Sequence, residues 1–136
     1  MKKYYKLVHK TMASYAHMCI SMDIVEYGIG VKATPKMQSK LFVFEDKKIA
    51  LDYANFDSNT KLFECTITGK SKALPFQPDD ITYNSVRYFW REYFRIKKKK
   101  VNMVEYMRLA FRWCDWPKST VWCNSVTLTK DITPVA

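Results

Sequence analysis

The sequence predicts a single compact α+β domain, with a mixed or mainly antiparallel sheet and about three helices. Three observations lead there. The chain has 136 residues, 48% of them hydrophobic and 26% charged, which is one domain's worth of ordinary globular composition. Its apolar pattern alternates between strand-like runs and stretches at helical spacing. No internal repeat or long linker divides residues 1–136 into separate units.

The elements follow in order. Lys3 to Lys10 (KYYKLVHK) mixes β-formers with lysines and predicts a first strand. Thr11 to Ile20 is rich in Met and Ala and fits either a short helix or a loop. Glu26 to Pro35 holds two of the three glycines and predicts a turn or bent strand. Leu41 to Phe44 (LFVF) is a short apolar run that suits a strand covered on both faces. Asp46 then offers an N-cap, and Ile49, Tyr53 and Phe56 at helical spacing predict a helix over Lys47 to Asn55. Asp57-Ser58-Asn59 is turn chemistry. Lys61 to Thr68 (KLFECTIT) predicts a strand closed by Gly69, and Pro75, Pro78 and Asp79-Asp80 predict an irregular connection.

A helical pair follows at about 84–115. Over Ser85 to Lys98 the apolar face is Val86, Phe89, Tyr93 and Ile96; over Asn102 to Cys114 it is Val104, Met107, Phe111 and Cys114. Pro117 ends the second helix. Thr120 to Ile132 (TVWCNSVTLTKDI) predicts a long β-branched strand with a bend near Asn124-Ser125.

Charge carries most of the functional signal. The formal net charge is +10. Ser85 to Lys118 holds ten Lys or Arg against Glu92, Glu105 and Asp115, leaving thirteen basic and ten acidic residues elsewhere. The excess is therefore regional, which favours nucleic acid, nucleotides or an acidic protein surface as partner. Within it, Arg87, Arg91 and Arg95 recur every four residues and would form one stripe, with Lys97, Lys98, Lys99 and Lys100 beyond. Like charges at that spacing repel, and an anion on the stripe would relieve them. The lysines alone would also suit the negative end of a helix. Arg108 and Arg112 form a further basic pair.

Aromatic residues run through the same stretch. Phe89 and Tyr93 fall on the apolar face and are expected in the core. Tyr88, Trp90 and Phe94 are the candidates for exposure, able to stack bases or anchor a protein partner.

Other chemistry finds little support. Cys19, Cys65, Cys114 and Cys123 match no zinc spacing, and buried free thiols are expected. His9 and His17 fit no helical metal pair. Gly28-Ile29-Gly30 lacks the third glycine of a phosphate-binding loop, and no G-x-S-x-G occurs. The N-terminus has no apolar signal core, and no run approaches the roughly 20 apolar residues of a membrane helix, so a soluble cytoplasmic protein with no membrane partner is expected.

The segments LFVFEDKKIALDYA (Leu41 to Ala54), LFECTITG (Leu62 to Gly69) and TVWCNSVTLTK (Thr120 to Lys130), with YKLVHK (Tyr5 to Lys10), resemble small phage-type proteins with an ADP-ribosyltransferase-like core. The resemblance covers about half the chain. It implies a cleft for a nicotinamide dinucleotide or similar nucleotide, with His9 matching the family's first-strand catalytic position and Tyr53 its second. The family's late carboxylate has no counterpart in Cys123-Asn124-Ser125-Val126, which implies binding without catalysis. The leading expectation is thus a non-catalytic, cofactor-free module, in keeping with a phage accessory or counter-defence factor. It would bind nucleic acid or nucleotide phosphates through Arg87, Arg91, Arg95, Lys97, Lys98, Arg108 and Arg112, helped by Tyr88, Trp90 and Phe94. The alternatives are an ADP-ribosyltransferase-like enzyme or nucleotide-sequestering relative, and an inhibitor that docks an acidic host protein.

Overall fold

Alternating side chains in Tyr4–His9 (β1) set the inside and outside of the sheet. Tyr4, Lys6 and Val8 are buried on one face, and Leu7 on the other. The computed structural model describes residues 2–13, 25–35, 39–56, 58–72, 76–78, 83–110, 113–115 and 119–134; for 76–78, 83–87, 108–110 and 113–115 the backbone alone is described. The remaining strands are Lys32–Ala33 (β2), Leu41–Phe44 (β3), Thr60–Thr68 (β4), Ser71–Lys72 (β5), Phe76–Pro78 (β6), Trp113–Asp115 (β7), Thr120–Cys123 (β8) and Ser125–Asp131 (β9). Three helices accompany them among the described residues: Lys47–Phe56 (α1), Tyr83–Lys97 (α2) and Met103–Ala110 (α3).

The main sheet has seven strands in the order β2-β9-β4-β1-β3-β8-β5, and every ladder in it is antiparallel. Only Asn124 separates β8 from β9 in sequence, yet β4, β1 and β3 lie between them in the sheet. The sheet must therefore curl back on itself. The registers agree: Thr68↔Ser125 in the β4–β9 ladder runs on as Ser71↔Trp122 and Lys72↔Val121 in the β5–β8 ladder. Both double strands bend at one corner, where Gly69 faces Asn124. Gly69 has φ of 64°, and a Cβ built there would lie 2.0 Å from the Asn124 amide nitrogen, so only glycine fits. The bend expected near Asn124-Ser125 is this corner.

Inside the curl lie Tyr4, Val8, Leu41, Val43, Phe63, Cys65, Cys123, Val126 and Leu128, with Val25, Tyr27 and Ala33 from the β2 side. Cys65 and Cys123 are buried free thiols, as expected, and burial pushes them up to about 12 and about 11. Lys6 is also buried. The β1–β3 ladder contains only the pair Tyr5↔Phe44, and the Lys6 ammonium donates to the Phe42 carbonyl beyond it at 2.7 Å.

Two groups of helices cover the outside. The Asp46 carboxylate accepts from the Ile49 N–H at 3.1 Å and caps α1 as expected. The buried face of α1 centres on two alanines. Ala50 and Ala54 dock on Leu7, Phe44 and Leu62, while Tyr53 is half exposed and Phe56 is 93% exposed. The large strand residues fill that interface and leave room for little more than a methyl group. The second group, α2 with α3, packs Phe89, Trp90, Tyr93 and Met107 against Trp122 and Phe42.

Two expectations are corrected. The second helix ends within 103–110 rather than at Cys114, because Trp113–Asp115 pairs with Phe76–Pro78 in a small two-stranded sheet. That pairing also gives order to part of the connection expected to be irregular. Asp57, His17, Cys19, Pro75, Asp79, Asp80, Phe111, Arg112, Trp116, Pro117 and most of the Thr11 to Ile20 segment lie outside the described residues. No helix is long and apolar enough to cross a membrane among those that are described.

Candidate functional site

The basic stretch folds largely as α2, and burial of Phe89, Tyr93 and Ile96 decides which way its charges point. Tyr88, Arg91, Arg95 and Lys98 share the exposed side, followed by exposed Lys97, Lys99 and Lys100. The side chains of Arg87 and Arg108, like the whole of Arg112, fall outside what is described, so the stripe is traced by Arg91 and Arg95.

Those two arginines differ. Arg95 donates from Nε and Nη2 to the two oxygens of Glu92 at 2.8 and 2.9 Å, and from Nη2 to the Tyr106 hydroxyl at 2.8 Å. Tyr106 in turn donates to Glu92 at 2.6 Å, tying α3 to α2. The Arg95 hydrogen bonds, then the Tyr106 bond, pull the Glu92 carboxyl down to about 2. Arg95 is thus already paired. Arg91 makes no salt bridge to a described residue and points to solvent.

Trp90 does not join the exposed face. It is 2% exposed and packs against Trp122 with ring centres 5.0 Å apart, because the outward-facing Trp122 needs an aromatic cover. Phe94 is half buried and Tyr88 is 44% exposed, so both reach the surface.

On the opposite flank of α2, next to the rim of the sheet, a second basic cluster forms that the sequence does not announce. Lys40, just before β3, donates to the Asn124 side-chain oxygen at 2.6 Å, and its ammonium lies 5.9 Å from the centre of the Phe94 ring. Lys97 lies 5.8 Å from the centre of the neighbouring Tyr93 ring. Burial, then the charge of Lys97, lowers the Lys40 ammonium below its ordinary value. Neither lysine forms a salt bridge with a described acid. Lys40 and Asn124 are far from α2 in sequence, and only the curl of the sheet brings them to it.

His9 and Tyr53 are not brought together. Tyr53 stacks on Phe44, which pairs with Tyr5, whereas His9 stands four residues further along β1, roughly 13 Å away at the usual rise of a strand. The His9 ring is within hydrogen-bonding distance of the Thr11 hydroxyl at 2.9 Å. Asp52, Tyr53 and Phe56 line a shallow surface pocket of about 290 Å³ on α1. Among the described residues no group of three or more His, Cys, Asp and Glu side chains converges to hold a metal. Compared with protein-family models, curated proteins and solved structures, the chain matches none.

Proposed function

We infer that the protein is a binding module for a phosphate-bearing partner, nucleic acid or nucleotide, with α2 as its contact element. One observation carries this reading. Glu92, the sole acid on α2, is hydrogen-bonded by Arg95 and Tyr106, and Arg91, Lys97 and Lys98 stay at the surface without a salt bridge to any described carboxylate. Such cations bind phosphates by releasing counterions, and binding falls steeply with salt. Exposed Tyr88 and half-buried Phe94 add surfaces on which a base can stack.

The test is fluorescence anisotropy with short single- and double-stranded oligonucleotides over a salt series. Arg91→Glu should weaken binding and reduce the salt slope by about 1. An absence of binding at low salt would overturn the polymer reading. A second reading, an acidic protein surface as partner, draws on the exposure of Tyr88 and Val101 beside the cations. It predicts a stoichiometric protein complex that survives nuclease treatment.

A further inference from the structure

Lys40 and Lys97 lie on the rim flank of α2, close enough for the charge of Lys97 to act on Lys40. The Tyr93 and Phe94 rings are 5.1 Å apart, with the Lys97 ammonium near the first and the Lys40 ammonium near the second. Asn124 holds Lys40 from the corner of the sheet. An ammonium has three N–H donors, and Lys40 uses one on Asn124. Two positive charges, with Lys40 keeping two N–H donors beyond its bond to Asn124, therefore border one aromatic patch, from two segments remote in sequence, with no described acid in a salt bridge to either.

We propose that this patch seats a single phosphomonoester, the terminal phosphate of a free nucleotide or of a phosphorylated nucleic-acid end. The proposal rests on the reading of α2 as a phosphate-binding element and names the group bound at its rim flank. Charge decides between phosphate types. A phosphomonoester carries about −1.5 to −2 at neutral pH and three acceptor oxygens. A backbone phosphodiester carries one negative charge and leaves one of the two lysines uncompensated. The monoester matches the pair, and relief of the Lys40–Lys97 repulsion adds to its binding. The half-buried Phe94 ring beside the seat is positioned to meet the attached base.

The experiment compares two oligonucleotides identical except for a 5′-phosphate or a 5′-hydroxyl, by anisotropy at fixed ionic strength. It uses wild type, Lys40→Gln and Lys97→Gln, with circular dichroism melts to verify folding. The 5′-phosphate should tighten binding about tenfold in wild type, the order expected of charged hydrogen bonds. The gain should vanish in both variants. It should also fade as pH drops through about 6, where the dianion takes up a proton. The source of the phosphate is read by competition. Displacement by adenosine 5′-monophosphate supports a free nucleotide, and an end preference that the monophosphate does not displace supports a strand end. Equal, salt-sensitive binding of both oligonucleotides, lost in Arg91→Glu, would overturn the seat and leave the polymer reading standing. Failure of both oligonucleotides, the monophosphate and inorganic phosphate to bind at low salt would overturn both.

Discussion

Helix α2 handles positive charge in opposite ways on its two flanks. Toward α3, Arg95 is gripped by Glu92 and Tyr106 in a closed network that holds two helices together. Toward the sheet rim, Lys97 and Lys40 each sit near one of two adjacent aromatic rings, with no described acid in a salt bridge to either. The same helix thus carries one cation paired within the fold and one with no salt bridge to a described acid. A count of charges along the sequence treats the two alike; the difference lies in which acids reach them.

Both flanks rest on Trp122. Its ring is fully buried, with Trp90, Tyr93 and Phe89 at 5.0, 5.1 and 6.5 Å between centres. Trp122→Ala should produce the largest loss, about 3–5 kcal/mol of stability in chemical denaturation, by opening a cavity under α2. A loss below about 1 kcal/mol would mean that the helix is held elsewhere and that the flanks share no foundation.

Gly69→Ala comes next and separates the flanks. The strain of a side chain at positive φ costs about 1–3 kcal/mol, and the new Cβ would also displace the Asn124 side chain. Asn124 anchors Lys40, so the variant should lose the preference for a 5′-phosphate while the Glu92–Arg95–Tyr106 network persists. If that preference survives in a folded variant, the corner does not position Lys40.

Glu92→Gln addresses the closed flank, with a smaller effect on stability because the Arg95 side chain is 43% exposed and solvent screens the pair. The Glu92 carboxyl is held below its ordinary value of 4.5, at about 2. Its stabilisation is therefore fully present above pH 4.5 and is lost as pH falls toward 2. Melts of wild type and variant should differ at neutral pH and converge over that interval. Nucleic-acid affinity should rise in Glu92→Gln, since the Arg95 fork is loosened; a fall would mean that the closed network itself forms the binding surface. Arg91→Glu supplies the complementary case, with stability within about 0.5 kcal/mol of wild type and binding weakened.

The closed flank could be half read from the sequence, and the open one could not. Glu92 and Arg95 are three residues apart on a predicted helix, a spacing that brings them together. Tyr106 required knowing how α3 returns against α2. The strands were legible because short β-branched and aromatic runs have few alternatives: Leu41–Phe44 forms as expected, and Thr120 to Ile132 bends where expected. The buried side of α1 was not legible, because two alanines give little hydrophobic signal beside Tyr53 and Phe56, yet Ala50 and Ala54 are its buried residues on Leu7, Phe44 and Leu62, with Ile49 and Leu51 partly buried beside them. Trp90 was misjudged because its cover, Trp122, comes from a strand 32 residues away. The Lys40–Lys97 pair depends on the curl of the sheet, a long-range property that no local spacing records.

The open flank makes the finest test, because its expected effect on stability is small and opposite in sign to the others. Lys40 carries its charge in the fold against burial and the repulsion of Lys97. A lysine whose ammonium is lowered in the folded state detracts from stability while charged, and stability recovers as pH rises through the lowered value. Lys40→Gln removes the charge and keeps an amide able to donate to Asn124. Its melting temperature at neutral pH should equal or slightly exceed that of wild type, with the difference closing at alkaline pH, even as the 5′-phosphate preference disappears. A melting temperature lowered as far as that of Glu92→Gln would show that Lys40 serves the fold in the same way as Arg95. The two flanks would then be alike, and the seat between Lys40 and Lys97 would lose its argument.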